Sequence, residues 1–504
     1  NLLDKKSTQI NYKGELPDCF DALVLKQVYG YKFDLKQVES REDVSDFDGS
    51  TIFMSQNDHI GKDHLSKNID FYINVHNDLG SILLINGEQN KSYISHIQHV
   101  RRRETIAMTP SNCLTALKVL IGESSSVEKD PNVETNKKRV LNEIKTITGT
   151  TSNPLVGSSG LSIQYAIMMG LIQDALEKHK GKQIKFIVPP NCYGGTNDQA
   201  RRVAACLDNV EIVDLPVDGE NDMVASIDVI LDKMAQKDAI PYIIAEIPTN
   251  PRVEVPDLVK LKSVLSKERK TPNGTMAVDP VFILDQTFCP NFHFLGEGQI
   301  LSEVRTISYA SGSKFPSGGQ CTAGYCVANK KTDALMKTIE LHLALCDNEA
   351  TDFQYKILAE QLPSMNQRIV DAYKNTRKFV TFINEILPAA KINFVSEQLA
   401  EQGFTPSVFS LDLPTKGATD EEREAYKRVL NLKLINLMID KIPNESKFCV
   451  SYGQLKGVYW TIPATSTQGT TKEGDKDYIV RASLSPHMDL ELHEKVFKEF
   501  VESI

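Results

Sequence analysis

Residues 308–319 read Ser308-Tyr309-Ala310-Ser311-Gly312-Ser313-Lys314-Phe315-Pro316-Ser317-Gly318-Gly319. This stretch follows the β-prone run Val304-Arg305-Thr306-Ile307 and places one lysine among glycines and small hydroxylated residues. Such neighbours offer little apolar surface for the lysine stem to cover. A solvated loop lysine is the first interpretation of Lys314. A functional amine at the end of a strand is the second, and the rest of the chain decides between them.

Apolar runs alternate with amphipathic helical segments on both sides of Lys314. This alternation predicts an α/β domain with a largely parallel central sheet and helices on both faces. The predicted strands are Ile184–Val188, Val210–Leu215, Tyr242–Ile247, Val281–Leu284, Val304–Tyr309 and Thr322–Ala328. Helices are predicted at 133–147, 161–175, 196–207, 224–236, 256–268 and 331–346.

Two further regions flank this domain, which we predict to span residues 111–350. Residues 1–110 combine short β-prone pieces such as Phe71–Val75 with polar turns, which predicts an N-terminal accessory α+β region. Residues 351–504 mix long helical segments with strand-like pieces such as Tyr478–Ser483, which predicts a smaller C-terminal α+β domain. The length of 504 residues is sufficient for two or three such domains.

Composition excludes several classes of function. The net charge of -9 at pH 7 provides no basic surplus for nucleic-acid binding. The nine cysteines include no CxxC pair, which argues against a disulfide framework and a structural zinc site, and the histidines are too irregularly spaced to suggest a metal site. No apolar run approaches the roughly 18 residues of a membrane span, and no signal-peptide pattern is seen. We therefore expect a cytoplasmic protein without a bound metal.

Polar side chains follow several of the predicted strands. Tyr193, Glu246, Asp285 and Lys314 all come at or just after strand ends, and Arg481 lies far downstream in Tyr478–Ser483. Ligands of open parallel sheets bind outside the carboxyl ends of the strands, so this pattern indicates a ligand site. Simpler roles remain open at this point: a cap for Asp285, an exposed turn for Tyr193 and a surface ion pair for Arg481.

The ordered set of motifs resembles the Cys/Met-metabolism group of fold-type I pyridoxal-phosphate (PLP) enzymes, which includes cystathionine γ-synthase, cystathionine γ- and β-lyases, methionine γ-lyase and the sulfhydrylases. The matches run from about residue 135 to the C-terminus. They are Ser159-Gly160-Leu161, Tyr193-Gly194-Gly195-Thr196, Glu246-x-Pro-Thr-Asn250-Pro251, Asp285-x-Thr287-Phe288, Ser311-x-Ser313-Lys314-Phe315, Arg368 with Asn375, Ser451-x-Gly453, Pro463-Ala464 and Arg481-x-Ser483.

The resemblance implies an aspartate-aminotransferase-like fold that binds PLP. Lys314 would hold the cofactor as an internal aldimine and then move protons between Cα and neighbouring carbons. Asp285 would keep the pyridine nitrogen protonated, and Tyr193 would stack on the ring and take part in proton transfer. The other implied cofactor residues are Ser159, Gly160, Leu161, Asn250, Thr287, Ser311 and Ser313, and the implied substrate residues are Arg481, Ser451 and Asn250.

The sequence departs from the family near the expected phosphate site and after the lysine. The family's Tyr-x-Arg segment, which reaches the phosphate of a neighbouring subunit, is replaced by Val127–Asn132. Lys129 or one of Arg101–Arg103 are candidate substitutes. Pro316 and Gly319 stand where an apolar residue and His or Gln are usual.

Two other departures concern the substrate. Lys456 stands where a glutamate often lies near the distal end of the substrate, which would favour an anionic or neutral distal group. Gly195 stands where methionine γ-lyases carry a cysteine, so that subclass is disfavoured. The leading hypothesis is β/γ-elimination or γ-replacement on a sulfur amino acid or an activated homoserine, in a homodimer or homotetramer. The alternatives are an aminotransferase and a PLP-binding protein that has lost turnover.

Overall fold

The structure is a computed structural model. It describes residues 7–16, 22, 26, 32–58, 60–61, 64–76, 80–104, 110–121, 123, 131–217, 222–346, 348–449, 454–463 and 478–504. Three β-sheets lie one in each of the three predicted regions. The domain boundaries near residues 110 and 350 stay a prediction.

The N-terminal sheet has five strands in the order β2-β1-β3-β4-β5, and only β5 runs antiparallel to its neighbour. Side chains alternate between its faces. Ile10 and Ile52 pack on one face, and Phe53 and Tyr72 pack on the other. The strands are β1 (Thr8–Tyr12), β2 (Phe33–Gln37), β3 (Ser50–Gln56), β4 (Phe71–His76) and β5 (Gly80–Ile85), followed by helices α1 (Ser92–Glu104) and α2 (Pro110–Leu120).

The central sheet has seven strands in the order β6-β12-β11-β10-β9-β7-β8, and β12 alone runs antiparallel to its neighbours. Its strands are β6 (Leu155–Gly157), β7 (Ile184–Val188), β8 (Val210–Asp214), β9 (Ile240–Glu246), β10 (Val281–Asp285), β11 (Thr306–Ser311) and β12 (Gly324–Ala328). Its helices are α3 (Val133–Thr148), α4 (Gly160–Lys178), α5 (Gly194–Ala205), α6 (Met223–Gln236), α7 (Leu258–Ser266) and α8 (Met336–Leu345).

Two apolar cores cover the two faces of this central sheet. Helices α4, α5 and α8 contribute to one core, and α3, α6 and α7 contribute to the other. Strands β7, β9 and β12 are buried throughout, as expected for a sheet covered on both faces. The predicted α/β architecture with a mostly parallel sheet is therefore confirmed.

The C-terminal sheet has five strands in the order β13-β14-β17-β16-β15. Helices α10, α12 and α13 pack on this sheet and form an apolar core with it, in which Phe379, Leu434 and Phe497 are almost fully inaccessible. The elements are α9 (Asp352–Gln361), α10 (Met365–Ile386), β13 (Lys391–Asn393), α11 (Glu397–Glu401), β14 (Val408–Asp412), α12 (Asp420–Lys441), β15 (Ser446–Phe448), β16 (Gly457–Pro463), β17 (Tyr478–Ser483) and α13 (Leu490–Glu502). Among the described residues, no helix has the length and apolar character needed to cross a membrane.

Candidate active site

Three neighbouring strands of the central sheet end side by side with polar residues. Glu246 closes β9, Asp285 closes β10, and Tyr309 lies near the end of β11. The strand register pairs Glu246 with Asp285 and Asp285 with Tyr309. Residues paired in this way point to the same face of a sheet. The carboxyl edge of the sheet therefore brings together two carboxyl groups and one phenol, as the sequence pattern predicted for Glu246 and Asp285.

Lys314 lies three residues beyond β11 in a compact turn. The N–H of Gly319 donates to the carbonyl oxygen of Lys314 at 3.2 Å, which closes the turn. Gly318 and Gly319 have φ values of +61° and +78°, a left-handed conformation that favours glycine. The unusual glycine at 319 therefore has a conformational reason.

The Lys314 side chain is partly buried. Its burial, with a smaller contribution from the nearby Arg481 cation, lowers the pKa of the ammonium to about 8. Both effects disfavour the charged form of an amine. A neutral amine is therefore much more abundant at neutral pH than it is for a solvated lysine, which the first interpretation of this residue assumed.

Asp285 has no ion-pair partner among the described residues. Its Oδ1 accepts a hydrogen bond from the N–H of Thr287 at 2.9 Å. Burial raises the pKa of Asp285, while hydrogen bonds from Thr287 and Tyr309 and the charge of Lys314 oppose the rise. A desolvated carboxyl that forms no ion pair among the described residues is suited to hold a protonated ring nitrogen.

Glu246 connects two predicted cofactor residues through their backbones. Its Oε1 accepts from the N–H of Tyr193 at 2.6 Å, and its Oε2 accepts from the N–H of Asn250 at 3.1 Å. Burial and the neighbouring Asp285 raise the pKa of Glu246 to about 8, although these two hydrogen bonds oppose the shift. Glu246 thus fixes the two loops that follow β7 and β9.

Arg481 brings the C-terminal sheet to this edge. It lies within β17, is 5% exposed, and its Nη1 donates to Oδ1 of Asn250 at 3.1 Å. The partner is therefore a site residue from the central domain rather than the surface acid considered as an alternative. Because Asn250 is also held by Glu246, the guanidinium is oriented relative to the strand ends.

A narrow cradle lies at the N-terminus of α4. A Cβ atom on Gly160 would lie 3.0 Å from Cα and Cβ of Ser311, so only glycine allows this approach. Ser159 caps α4 by accepting from the N–H of Ser162 at 3.0 Å. The N–H of Ser311 donates to Oγ1 of Thr287 at 2.9 Å, and Oγ of Ser313 accepts from the N–H of Ala323 at 3.4 Å. The first turn of α4, with Leu161 as its second residue, adds backbone donors that favour an anion.

Tyr193 is the N-cap residue of α5 and packs against Gly195. A Cβ atom at residue 195 would lie 2.4 Å from Cε1 of Tyr193 and 3.1 Å from Cδ1 of Leu161. A cysteine at this position would therefore displace the Tyr193 ring. That Gly195 disfavours the methionine γ-lyase subclass stays a prediction.

A buried polar network beneath the site was missed from the sequence. Oε1 of Gln164 accepts from Oγ1 of Thr196 at 2.8 Å and from the phenol of Tyr309 at 2.8 Å. Gln164 lies on α4 among apolar residues and is fully inaccessible. A glutamine among the apolar residues of the first turns of α4 was the signal that could have identified it.

Several predicted residues lie outside the described residues. These are Ser451, Gly453, Ala464 and most of Val127–Asn132, and the side chains of Arg101–Arg103 and Pro463 are likewise not described. Lys456 is described, and its Nζ donates to the carbonyl oxygen of Pro443 at 2.8 Å. Its ammonium is therefore engaged by the backbone just beyond α12.

Neither a known protein-family profile nor a curated protein matches the amino-acid sequence. Solved structures do match its fold. Cystathionine γ-synthase from Xanthomonas oryzae pv. oryzae in complex with cystathionine has a TM-score of 0.54 and 16% identity, covering 75% of this chain and 89% of that chain. This chain has the fold of that enzyme. Cystathionine γ-lyase from Lactobacillus plantarum complexed with L-serine has a TM-score of 0.52 and 17% identity, covering 75% and 90% respectively.

A third match is CalE6, a methionine γ-lyase from Micromonospora echinospora, with a TM-score of 0.52 and 16% identity over 73% of this chain and 86% of that chain. The shared architecture is the fold-type I architecture of PLP enzymes. The residues at this site fit PLP, because an anion cradle, a buried carboxyl and an amine with a lowered pKa lie along one sheet edge.

Proposed function

We propose that this chain is a PLP-dependent enzyme that acts on a sulfur-containing amino acid or an activated homoserine. The proposed reaction is β/γ-elimination or γ-replacement. The observation that carries the proposal is the convergence of Lys314, Asp285 and Arg481 on one edge of the central sheet. The fold shared with cystathionine γ-synthase and cystathionine γ-lyase supports it.

The protein would hold PLP at both of its polar ends. Asp285 would hold the pyridine nitrogen, Lys314 would bind the aldehyde carbon, and Tyr193 and Asn250 would contact the ring. The phosphate would be held by Ser159, Gly160, Leu161, Ser311 and Ser313, with Thr287 orienting Ser311. When bound, PLP withdraws electrons from the substrate Cα.

The remaining steps belong to the side chains of the protein. Arg481, oriented by Asn250, would bind the substrate α-carboxylate with its planar guanidinium. With a pKa near 8, the Lys314 amine can accept a proton from Cα and deliver it to a neighbouring carbon near neutral pH. Ser451 remains a proposed substrate contact.

We further propose three domains divided near residues 110 and 350 and a homodimer or homotetramer in the cytoplasm. Light scattering on the purified chain tests the oligomeric state. Limited proteolysis tests the boundaries, because linkers between domains are preferred cleavage sites. A monomer at working concentration would contradict the oligomer.

The function is tested by PLP titration followed by a substrate panel. Cystathionine, cysteine, methionine, homocysteine and O-acylhomoserines are offered to the wild type and to Lys314→Ala. We expect a visible absorption band that requires Lys314, together with release of ammonia and a 2-oxo acid or formation of a new thioether. No PLP uptake contradicts the proposal. A 2-oxo acid without ammonia or thiol identifies an aminotransferase, and uptake without turnover identifies a binding protein.

A further inference from the structure

Arg368 is a buried cation whose hydrogen-bond partners are all neutral. It is the fourth residue of α10 and is 9% exposed. Its Nε donates to Oγ of Ser364 at 3.2 Å, its Nη2 to the carbonyl oxygen of Gln361 at 2.8 Å and its Nη1 to Oε1 of Gln454 at 3.4 Å. These contacts use three of the five N–H donors of a guanidinium.

No acidic side chain of the described residues forms an ion pair with Arg368. Burial accordingly lowers its pKa to about 10. Removing a charge from water without a counter-ion is strongly unfavourable, so buried arginines are normally paired. The charge of Arg368 therefore has no acidic counter-ion among the residues that the structure describes.

Gln454 contributes a second set of unused donors at the same place. Its side chain is 2% exposed, its Oε1 accepts from Arg368, and its Nε2 has no hydrogen-bond partner among the described residues. A buried amide N–H without a partner destabilises the folded state by about 1–3 kcal/mol. Together the two side chains offer unused N–H donors and a positive charge at one place.

This pair lies against the turn that carries Lys314. A Cβ atom at Gly318 would lie 3.6 Å from Nη1 of Arg368, and one at Gly319 would lie 3.5 Å from Cβ of Gln454. Gly319 in turn donates to the carbonyl oxygen of Lys314. A single short turn therefore separates Lys314 from Arg368 and Gln454.

The same pair also lies beside the strand that carries Arg481. Oγ of Ser485 donates to the carbonyl oxygen of Gln454 at 2.8 Å. Ser485 follows Arg481 by four residues, so their Cα atoms are at most about 14 Å apart. Gln454 therefore contacts a residue only four positions beyond the arginine proposed to bind the α-carboxylate.

We propose that Arg368 and Gln454 form an anion-binding subsite beside the candidate active site, and that it takes the distal anionic group of the substrate. A guanidinium binds carboxylate, sulfate or phosphate oxygens in a planar, bidentate manner, and the amide nitrogen of Gln454 supplies a further donor. The bound anion provides the missing counter-charge. The substrate assignment rests on the proposed function, whereas the anion site itself does not.

The first experiment uses inorganic sulfate as the probe. Calorimetric titration with sodium sulfate is carried out at constant ionic strength on full-length protein with saturating PLP. The wild type should bind sulfate, and Arg368→Met and Gln454→Glu should each weaken binding at least about tenfold, a change of 1.4 kcal/mol. Gln454→Glu is the decisive variant, because it gives Arg368 an internal carboxylate and should raise the melting temperature while it blocks sulfate.

Gln367→Glu is the matched control for the decisive variant. Gln367 precedes Arg368 on the same helix but is exposed, and its Nε2 donates to Asp371. It adds the same charge without facing the subsite, so sulfate binding should be unchanged. Equal sulfate affinity in the wild type and Gln454→Glu overturns the subsite, and so does the absence of sulfate binding to the wild type.

The second experiment separates a substrate group from a free oxyanion. The KM values of Gln454→Glu are compared for a homoserine ester that ends in a carboxylate, the succinyl ester, and one that ends in a methyl group, the acetyl ester. We expect KM to rise at least about tenfold for the succinyl ester alone. An equal change for both esters overturns the assignment to the substrate. Sulfate binding without turnover of any substrate in the panel shows that the proposed function has failed while the anion site stands.

Discussion

The central and N-terminal sheets share a mostly parallel topology but differ in the side chains placed at their carboxyl ends. The central sheet places Glu246, Asp285 and Lys314 at this edge, where burial shifts the pKa of all three groups toward neutrality. The N-terminal sheet places Lys13 and Asp58 at the corresponding edge, 3.8 Å apart, with side chains 50% and 29% exposed. A parallel sheet provides an edge, and desolvated ionisable groups turn that edge into a chemical site.

The desolvated groups also make the central edge energetically unfavourable. A carboxyl with a raised pKa and an amine with a lowered pKa both destabilise the charged folded state. The large apolar cores on both faces of the central sheet offset this effect. Such perturbed groups cluster at functional sites, and the N-terminal edge has no comparable cluster among its described residues.

The largest expected difference between the two edges concerns their lysines. Lys314 follows β11 and Lys13 follows β1, so the same substitution can be made beyond a strand of each sheet. Lys314→Ala should lower turnover at least about a thousandfold, because it removes the group that we propose as both nucleophile and base. Lys13→Ala should leave turnover unchanged. Steady-state kinetics and absorbance after PLP addition measure both variants.

A comparable loss in both variants would contradict the contrast between the edges. A loss in neither would remove Lys314 from the chemistry. Circular dichroism of each variant establishes that the fold is intact before the rates are compared.

Arg481→Lys is expected to have the next largest effect. The ammonium keeps the positive charge but lacks the planar fork that contacts Asn250 and that we propose to bind the substrate carboxylate. Loss of a charge-assisted hydrogen bond of about 1.5–3 kcal/mol should lower kcat/KM by about 10- to 150-fold, mainly through KM. Arg423→Lys, an exchange on an exposed part of α12, is the control and should not change kcat/KM. An unchanged KM in Arg481→Lys would assign the carboxylate to another residue.

Glu246→Gln tests the desolvation of the central edge through the pH dependence of stability. Burial raises the pKa of Glu246 from an ordinary 4.5 to about 8, so the native state holds a proton that the unfolded state has released. The free energy of unfolding should therefore fall as pH rises from about 4.5 to about 8. Glu246→Gln cannot titrate and should show a flatter dependence over that range in urea denaturation. Identical slopes for the two proteins would contradict the raised pKa.

The central domain was largely predictable from the sequence, because its strands are continuous apolar runs bounded by polar strand ends. Ile184–Val188 was predicted at its observed bounds, and Asp285 and Glu246 were placed at strand ends. β1 and β2 were missed, since Thr8–Tyr12 and Phe33–Gln37 are short and mix polar with apolar residues. β16 was also missed, although Gly457–Pro463 is rich in the β-branched and aromatic residues that favour strands.

The partners within the candidate site could not be predicted from local sequence. The contact of Asn250 with Arg481 joins residues 231 positions apart in the chain. The hydrogen bonds from Tyr193 and Asn250 to Glu246 depend on the relative position of two loops. Likewise, the neutral surroundings of Arg368 emerge only from the packing of α10 against residue 454. Hydrophobic periodicity predicts which face of a helix or strand is buried, but it does not predict which residues pack against that face.

The smallest expected effect tests the N-terminal side of the comparison. Asn11 is fully inaccessible in β1, its Nδ2 donates to the carbonyl oxygen of Ile52 at 3.4 Å, and its Oδ1 has no hydrogen-bond partner in the described part of the chain. Because a buried oxygen without a partner is unfavourable, Asn11→Leu should leave stability within about 1 kcal/mol of the wild type or raise it. The adjacent Ile10→Ala should lower stability by about 2–5 kcal/mol through lost packing. Hydrogen exchange of amides in β1 and β3 measures the local free energy of opening for both.

If the two substitutions had the opposite order of effect on stability, the N-terminal sheet would have a role beyond packing. If Asn11→Leu destabilised β1 more than Ile10→Ala, the Asn11 carboxamide would have a partner that stabilises the native protein in solution. A screen for metabolites that increase the hydrogen-exchange protection of β1 in the wild type would then identify that partner. A near-neutral Asn11→Leu instead assigns the N-terminal sheet a structural role and leaves the chemistry of the chain at the central edge.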